Sequence, residues 1–186
     1  MTSILKADNI QDADGNNIIN ESSNTITIGA SGDTITIPSG ATISNSGTAT
    51  GFGKILQVVS TANTSAITGN NTSFADSGFS VTITPSATSS KILILTQIAA
   101  FNDTTATSMY YSIYRGTTNL GDSSTGFVRT YNGGSNLGSS VAMNFLDSPS
   151  TTSATEYSVY VKVNAGLGYI SVNDSTSTIT ALEIAA

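Results

Sequence analysis

Residues 24–43 read Asn-Thr-Ile-Thr-Ile-Gly-Ala-Ser-Gly-Asp-Thr-Ile-Thr-Ile-Pro-Ser-Gly-Ala-Thr-Ile. The block Thr25-Ile26-Thr27-Ile28 returns as Thr34-Ile35-Thr36-Ile37 and, shortened, as Thr42-Ile43. Turn formers separate the copies: Gly29, Ser31, Gly32 and Asp33, then Pro38, Ser39 and Gly40. Isoleucines two apart share one face of a strand, with threonines on the other. Such strands offer few apolar side chains, and an isolated pair of them is marginal in water. Stacked repeats bury their faces on neighbours and need about three units or more. Two full copies and a fragment fall short of that. Other copies of the same chain around a common axis would supply the missing cover, so the segment reads as a fibrous, trimeric stem in which Ile26, Ile28, Ile35, Ile37 and Ile43 pack between chains.

The rest of the chain agrees with a β-rich protein. Only 10% of its 186 residues are charged, against about 25% in ordinary globular proteins. Hydroxyl and amide side chains, which suit strands and turns, fill the gap. At 38% hydrophobic the chain has material for a core, and its long apolar runs argue against disorder. The net charge is −6, and Lys6, Lys54, Lys91, Arg115, Arg129 and Lys162 stand singly, forming no basic stripe. Nucleic-acid binding depends on such a stripe and is not expected. No run approaches the ~20 apolar residues that span a bilayer as a helix, so membrane insertion is not expected. The opening Met1-Thr2-Ser3-Ile4-Leu5-Lys6-Ala7-Asp8 has no long apolar stretch or cleavage signature, which predicts synthesis without secretion.

Three regions follow. Residues 1–22 alternate short apolar groups (Ile4, Leu5, Ile10, Ile18, Ile19) with Asp and Asn, and Asp14-Gly15 marks a hairpin turn. Residues 23–53 hold the repeat and a Gly/Ser/Thr neck. Residues 54–186 carry the aromatics and the long strands. Phe79, Val81 and Ile83 alternate inward before Pro85 stops the strand. Lys91-Ile92-Leu93-Ile94-Leu95 is apolar on both faces, so both need cover. Met109, Tyr111 and Ile113 oppose Tyr110, Ser112 and Tyr114. Val141, Met143 and Phe145 share a face, as do Tyr157, Val159, Val161 and Val163. The expectation is an all-β fold with roughly eight to ten strands in a sandwich or jelly-roll head, and helices minor.

Two sets of residues carry a resemblance. Ile4-Leu5-Lys6-Ala7-Asp8-Asn9-Ile10-Gln11-Asp12, with Gly15-Asn16-Asn17-Ile18-Ile19-Asn20-Glu21-Ser22 and the Thr-Ile repeat, resembles the N-terminal segment of fibre and structural proteins of marine bacteriophages. Gly53-Lys54-Ile55-Leu56-Gln57-Val58-Val59, Ile83-Thr84-Pro85-Ser86-Ala87-Thr88-Ser89-Ser90-Lys91-Ile92-Leu93-Ile94, Asn144-Phe145-Leu146-Asp147-Ser148-Pro149 and Ser177-Thr178-Ile179-Thr180-Ala181-Leu182-Glu183-Ile184 are similar to the C-terminal heads of such proteins. The resemblance implies a homotrimeric virion fibre, assembled in the host cytoplasm. Ile4, Leu5, Ile10, Ile18 and Ile19 would dock onto other virion proteins, and the heads, similar to a tumour-necrosis-factor-like jelly roll, would face a host-surface glycan or protein. The alternatives are a capsid-decorating or tail-cement fibre that binds no receptor and, further off, a polysaccharide depolymerase.

The residue types disfavour catalysis. Histidine and cysteine are absent, which removes the commonest proton shuttle, metal ligand and reactive nucleophile. Only a carboxylate pair could hydrolyse a glycan. Most carboxylates sit beside Gly, Ser or Asn in turn contexts such as Gly121-Asp122-Ser123, where Asp bonds its own following backbone. Glu183 falls in the last strand, pointing outward or at a subunit boundary. Asp12-Ala13-Asp14-Gly15-Asn16-Asn17 is a poor calcium loop because Ser23 stands where the bidentate Glu belongs. No enzyme activity, metal or cofactor is therefore expected. Tyr111 and Tyr157 are assigned to the core. Tyr110, Tyr114 and Tyr160 face the other way and suit a head trimer interface better than a ligand site. Arg129, Tyr131 and Asn132, before Gly133-Gly134, are the loop residues best placed for receptor contact.

Overall fold

A computed structural model describes residues 9–11, 13, 17–23, 25–29, 31–47, 55–172 and 174–185. The chain divides into two units, Met1–Thr50 and Gly51–Ala186. In the first, β1 (Asn9–Gln11), β2 (Asn17–Ser22) and β3 (Thr25–Ile28) form an antiparallel sheet in the order β1-β2-β3. Its register aligns Ile10, Ile19 and Ile28 in one row across the three strands. The sheet therefore ties the proposed docking segment to the first Thr-Ile copy. The later copies, Thr34–Ile37 and Thr42–Ile43, take no regular secondary structure within the single chain. Ile4, Leu5, Asp14 and Gly15 lie outside the described residues.

The second unit is built from β4 (Ile55–Asn63), β5 (Ile67–Gly69), β6 (Ala75–Ile83), β7 (Lys91–Asn102), β8 (Thr107–Arg115), β9 (Thr118–Asn119), β10 (Val128–Asn132), β11 (Leu137–Asp147), β12 (Thr155–Val163), β13 (Gly168–Ile170) and β14 (Ser177–Ile184). One sheet runs β4-β14-β7-β11, and β5-β13 continues beside the far half of β7. The other runs β6-β12-β8-β10, with β9 beside the end of β8. From β6 to β13 the chain crosses between sheets at every connection except β8 to β10, and β13 to β14 then stays in one sheet. That alternation is the topology of a jelly roll, an antiparallel β-sandwich. No helix occurs among the described residues.

The sandwich core follows the alternation in the sequence. Phe79, Val81 and Ile83 of β6, Ile92, Ile94 and Ile98 of β7, Met109, Tyr111 and Ile113 of β8, and Tyr157, Val159 and Val161 of β12 are all buried. Each large apolar side chain removed from water contributes about 1.5–3 kcal/mol. Leu93 and Leu95 show the other half of the doubly apolar β7: the second sheet covers Ile92 and Ile94, while Leu95 stays exposed. Edge strand β6 breaks its register with β12 at Asp76–Phe79, where Ser77 Oγ donates to Val159 O at 2.5 Å. Such a bulge spoils the strand edge as a template for unwanted pairing.

The turn between β9 and β10 depends on a glycine. Gly126 has φ 65°, its N–H donates to Asp122 O at 2.9 Å, and the neighbouring Phe127 N–H donates to Tyr111 O at 2.8 Å. A Cβ on Gly126 would collide with Tyr111 O and the Phe74 ring.

Candidate functional site

The outer faces of the two sheets carry different residues. On the β6-β12-β8-β10 sheet, Tyr110 of β8 lies directly between Arg129 of β10 and Lys162 of β12. Lys162 Nζ sits 4.7 Å from the Tyr110 ring centre and 4.9 Å from that of Phe74. The Arg129 guanidinium lies 5.8 Å from the Tyr110 ring and 5.7 Å from the Tyr131 ring. These are cation–π distances. Both cations are held: Arg129 Nε donates to Ser108 Oγ at 2.9 Å, and Lys162 Nζ donates to Ser124 O.

Tyr114 and Tyr160 complete this face. Their rings stack 3.7 Å apart and 12° from parallel, and Phe74 tilts against Tyr114 at 6.2 Å. Burial, with the neighbouring Tyr160 second, raises the Tyr114 phenol above its ordinary value. The three tyrosines expected at a head trimer interface thus share one face, half-buried, Tyr114 and Tyr160 stacked on each other and Tyr110 between two cations.

The receptor-contact trio does not stay together. Arg129, Tyr131 and Asn132 lie on strand β10, not in a loop. Arg129 and Tyr131 are exposed, but Asn132 is 2% exposed. Its Nδ2 donates to Asn102 O at 3.0 Å and Thr104 O at 3.1 Å, and its Oδ1 accepts from Gly134 N at 3.1 Å. Asn132 anchors the following turn and offers nothing to a ligand, which corrects that expectation. Lys162 and Phe74 were missed. The alternation of β12 placed Lys162 on the outward face beside Tyr160, but only the strand register brings it to Tyr110.

The outer face of the β4-β14-β7-β11 sheet carries one apolar row, flanked by Ser60, Thr180 and Asn144 in the next. Val58, Leu182, Leu93 and Leu146 form one row across the four strands. Val58, Leu146 and nearby Leu95 are exposed. An open depression further along this face lies over Gln97, Ala99, Phe101, Gly138 and Ser140.

Beneath that surface, the next row inward is Gln57, Glu183, Ile92 and Asp147. Glu183 is fully buried, which corrects the expectation that it points outward or at a subunit boundary. Its Oε1 accepts from Ser86 N at 2.7 Å and Ser86 Oγ at 2.6 Å, and its Oε2 accepts from Gln57 Nε2 at 2.6 Å. Burial alone would raise this carboxyl. The Ser86 hydroxyl, then the Ser90 hydroxyl, the Gln57 amide and the Ser86 backbone N–H together outweigh it and hold the pKa at about 2. Ser90 Oγ itself makes no hydrogen bond of normal geometry.

Asp147 is also buried, rather than in a solvated turn. Arg115 Nη1 donates to its Oδ1 at 2.9 Å and Oδ2 at 2.8 Å, and Tyr157 OH donates to Oδ2 at 2.7 Å. Burial first, then this hydrogen bond, drives the Tyr157 phenol far above its ordinary value. Both carboxylates are thus enclosed and hydrogen-bonded to groups from other parts of the sandwich. Asp122 does follow the turn reading: Thr125 and Ser124 backbone N–H groups donate to its Oδ1 and lower its pKa. Among the described residues no three His, Cys, Asp or Glu side chains gather as a metal site.

No known protein family matches the chain, and no curated protein matches it. Among solved structures it is similar to the infectious bursal disease virus VP2 subviral particle, at 12% identity and a TM-score of 0.39. That match covers 70% of this chain and 38% of the other, so the chain spans well under half the length of that neighbour. A likeness this distant leaves function to be argued from the chain's own surfaces.

Proposed function

We propose that the chain is a non-enzymatic virion structural protein: a homotrimeric fibre that attaches by its N-terminal segment and presents jelly-roll heads for adhesion to a host surface. The observation that carries this reading is the bare isoleucine ladder. Ile26, Ile28, Ile35, Ile37 and Ile43 are between 47% and 68% exposed in the single chain. Ile10 and Ile19, in the row with Ile28, are also exposed. A water-exposed ladder of this kind costs stability that burial between sister chains would recover, at about 25 cal/mol per Å² of apolar surface. Stacking around an axis is also how short repeats acquire a core.

The heads support the same reading. The apolar row Val58, Leu182, Leu93 and Leu146, with Val58 and Leu146 exposed, offers a second self-association surface. Three heads on one stem, and many stems on one particle, would turn weak single contacts into firm attachment, with avidity gains on the order of 10²–10⁴.

The test is the mass of the full-length chain by light scattering during gel filtration. Three copies are expected, with Ile26→Asn plus Ile35→Asn giving a smaller species whose heads still melt as before. A stable monomer of the unaltered chain would overturn the trimer. Trimers that join particles but never adhere to host cells would move the function to decoration.

A further inference from the structure

The Arg129–Tyr110–Lys162 row combines two cations and an aromatic ring on a chain whose net charge is −6. Chance would favour acid, since the chain has 12 acidic residues against 6 basic ones. Among the described residues the ion pair within 4 Å is Arg115–Asp147, so neither Arg129 nor Lys162 is neutralised by a touching carboxylate. Asp122 acts on Lys162 only at longer range, and its own Oδ1 is taken by Ser124 and Thr125. Ser108 Oγ and Ser124 O fix the two cations before any ligand arrives, which lowers the ordering cost of binding.

We infer that this row is a binding site for an acidic polysaccharide bearing carboxylates on alternate sugars. The inference rests on the adhesive reading above and names the chemical class of its ligand. Arg129 and Lys162 stand two inter-strand spacings apart, ~9–10 Å, the order of a two-sugar repeat along a linear uronate polymer. Each cation takes one carboxylate in a charge-assisted hydrogen bond. Tyr110, with a cation over its ring from each neighbouring strand, holds the two charges apart at that spacing. Exposed Tyr131, beside Arg129, offers the ring on which an adjoining sugar stacks its C–H face.

The experiment measures binding of the full-length protein to immobilised hyaluronan, an alternating uronate polymer, with dextran as the neutral control. Hyaluronan binding that weakens with added salt is expected, with none to dextran. Arg129→Gln and Lys162→Gln should each weaken it about ten-fold, the size of one lost hydrogen bond to a charged group, while the melting temperature holds. Absence of hyaluronan binding, or equal binding by the double variant, overturns the site. Assaying the same proteins on host cells separates the two readings. Undiminished cell adhesion by the double variant removes this site and keeps adhesion. Hyaluronan binding through the row without any cell adhesion keeps the site and removes the adhesive role.

Discussion

Replacing Glu183 by glutamine removes a buried charge that three donor groups from Ser86 and Gln57 surround. In the folded protein the carboxyl has a pKa of about 2, against 4.5 for the free group. A folded pKa below the unfolded one stabilises the fold above 4.5, and that contribution disappears as pH falls through about 2. The difference corresponds to about 3 kcal/mol, at 1.36 kcal/mol per pKa unit. Urea unfolding across this window gives the measurement. At neutral pH the glutamine variant should be less stable by about 3 kcal/mol, because its amide can satisfy fewer of these donors. Acidification should close that gap, since the unaltered protein loses the same interaction once Glu183 is protonated. A gap that stays constant from neutral pH to 2 would refute the reasoning and place the cost of the substitution in packing.

Two further outcomes follow from the head. Gly126→Ala should destabilise by more than about 3 kcal/mol, combining a strained backbone with a collision against Tyr111 O; thermal melting of the purified variant reads it, and a melt like the original would sink the close-approach argument. Tyr157→Phe should cost about 1.5–3 kcal/mol, the range for a hydrogen bond to a charged group, because Asp147 loses its phenol donor while keeping Arg115. Chemical denaturation checks this, and a change below about 0.5 kcal/mol would show that the phenol matters little.

Much of the head was legible because its strands obey the period of two. Phe79, Val81 and Ile83, or Tyr157, Val159 and Val161, could be placed inside from spacing alone, and they are. The short strands were harder. Ile67–Gly69 carries too few apolar residues to signal a strand, and the Gly133-Gly134 signal disguised β10 as a loop. Burial of polar residues was the least readable. Glu183 and Asp147 look like surface carboxylates until strand register sets them on the inner face among donors from distant parts of the chain. The cation row failed for a related reason. Arg129, Tyr110 and Lys162 are remote in sequence, and periodicity assigns each a face without saying which strands become neighbours. The second and third Thr-Ile copies keep the period of two that suggested strands, yet they take no regular secondary structure in the single chain.

The pairing of Ile55 with Ile184 has a mechanical meaning. The chain enters the sandwich at edge strand β4, so a pull on Ile55 directed away from β14 would load the β4–β14 ladder one rung at a time, the geometry of a zipper, which yields at low force. Two residues in, Gln57 Nε2 bridges Thr84 O at 2.7 Å and the Glu183 carboxylate at 2.6 Å. That side chain fastens β4 to two other strand ends at once. It acts as a bolt behind the first tooth, so peeling must break a cross-linked knot before it can travel further.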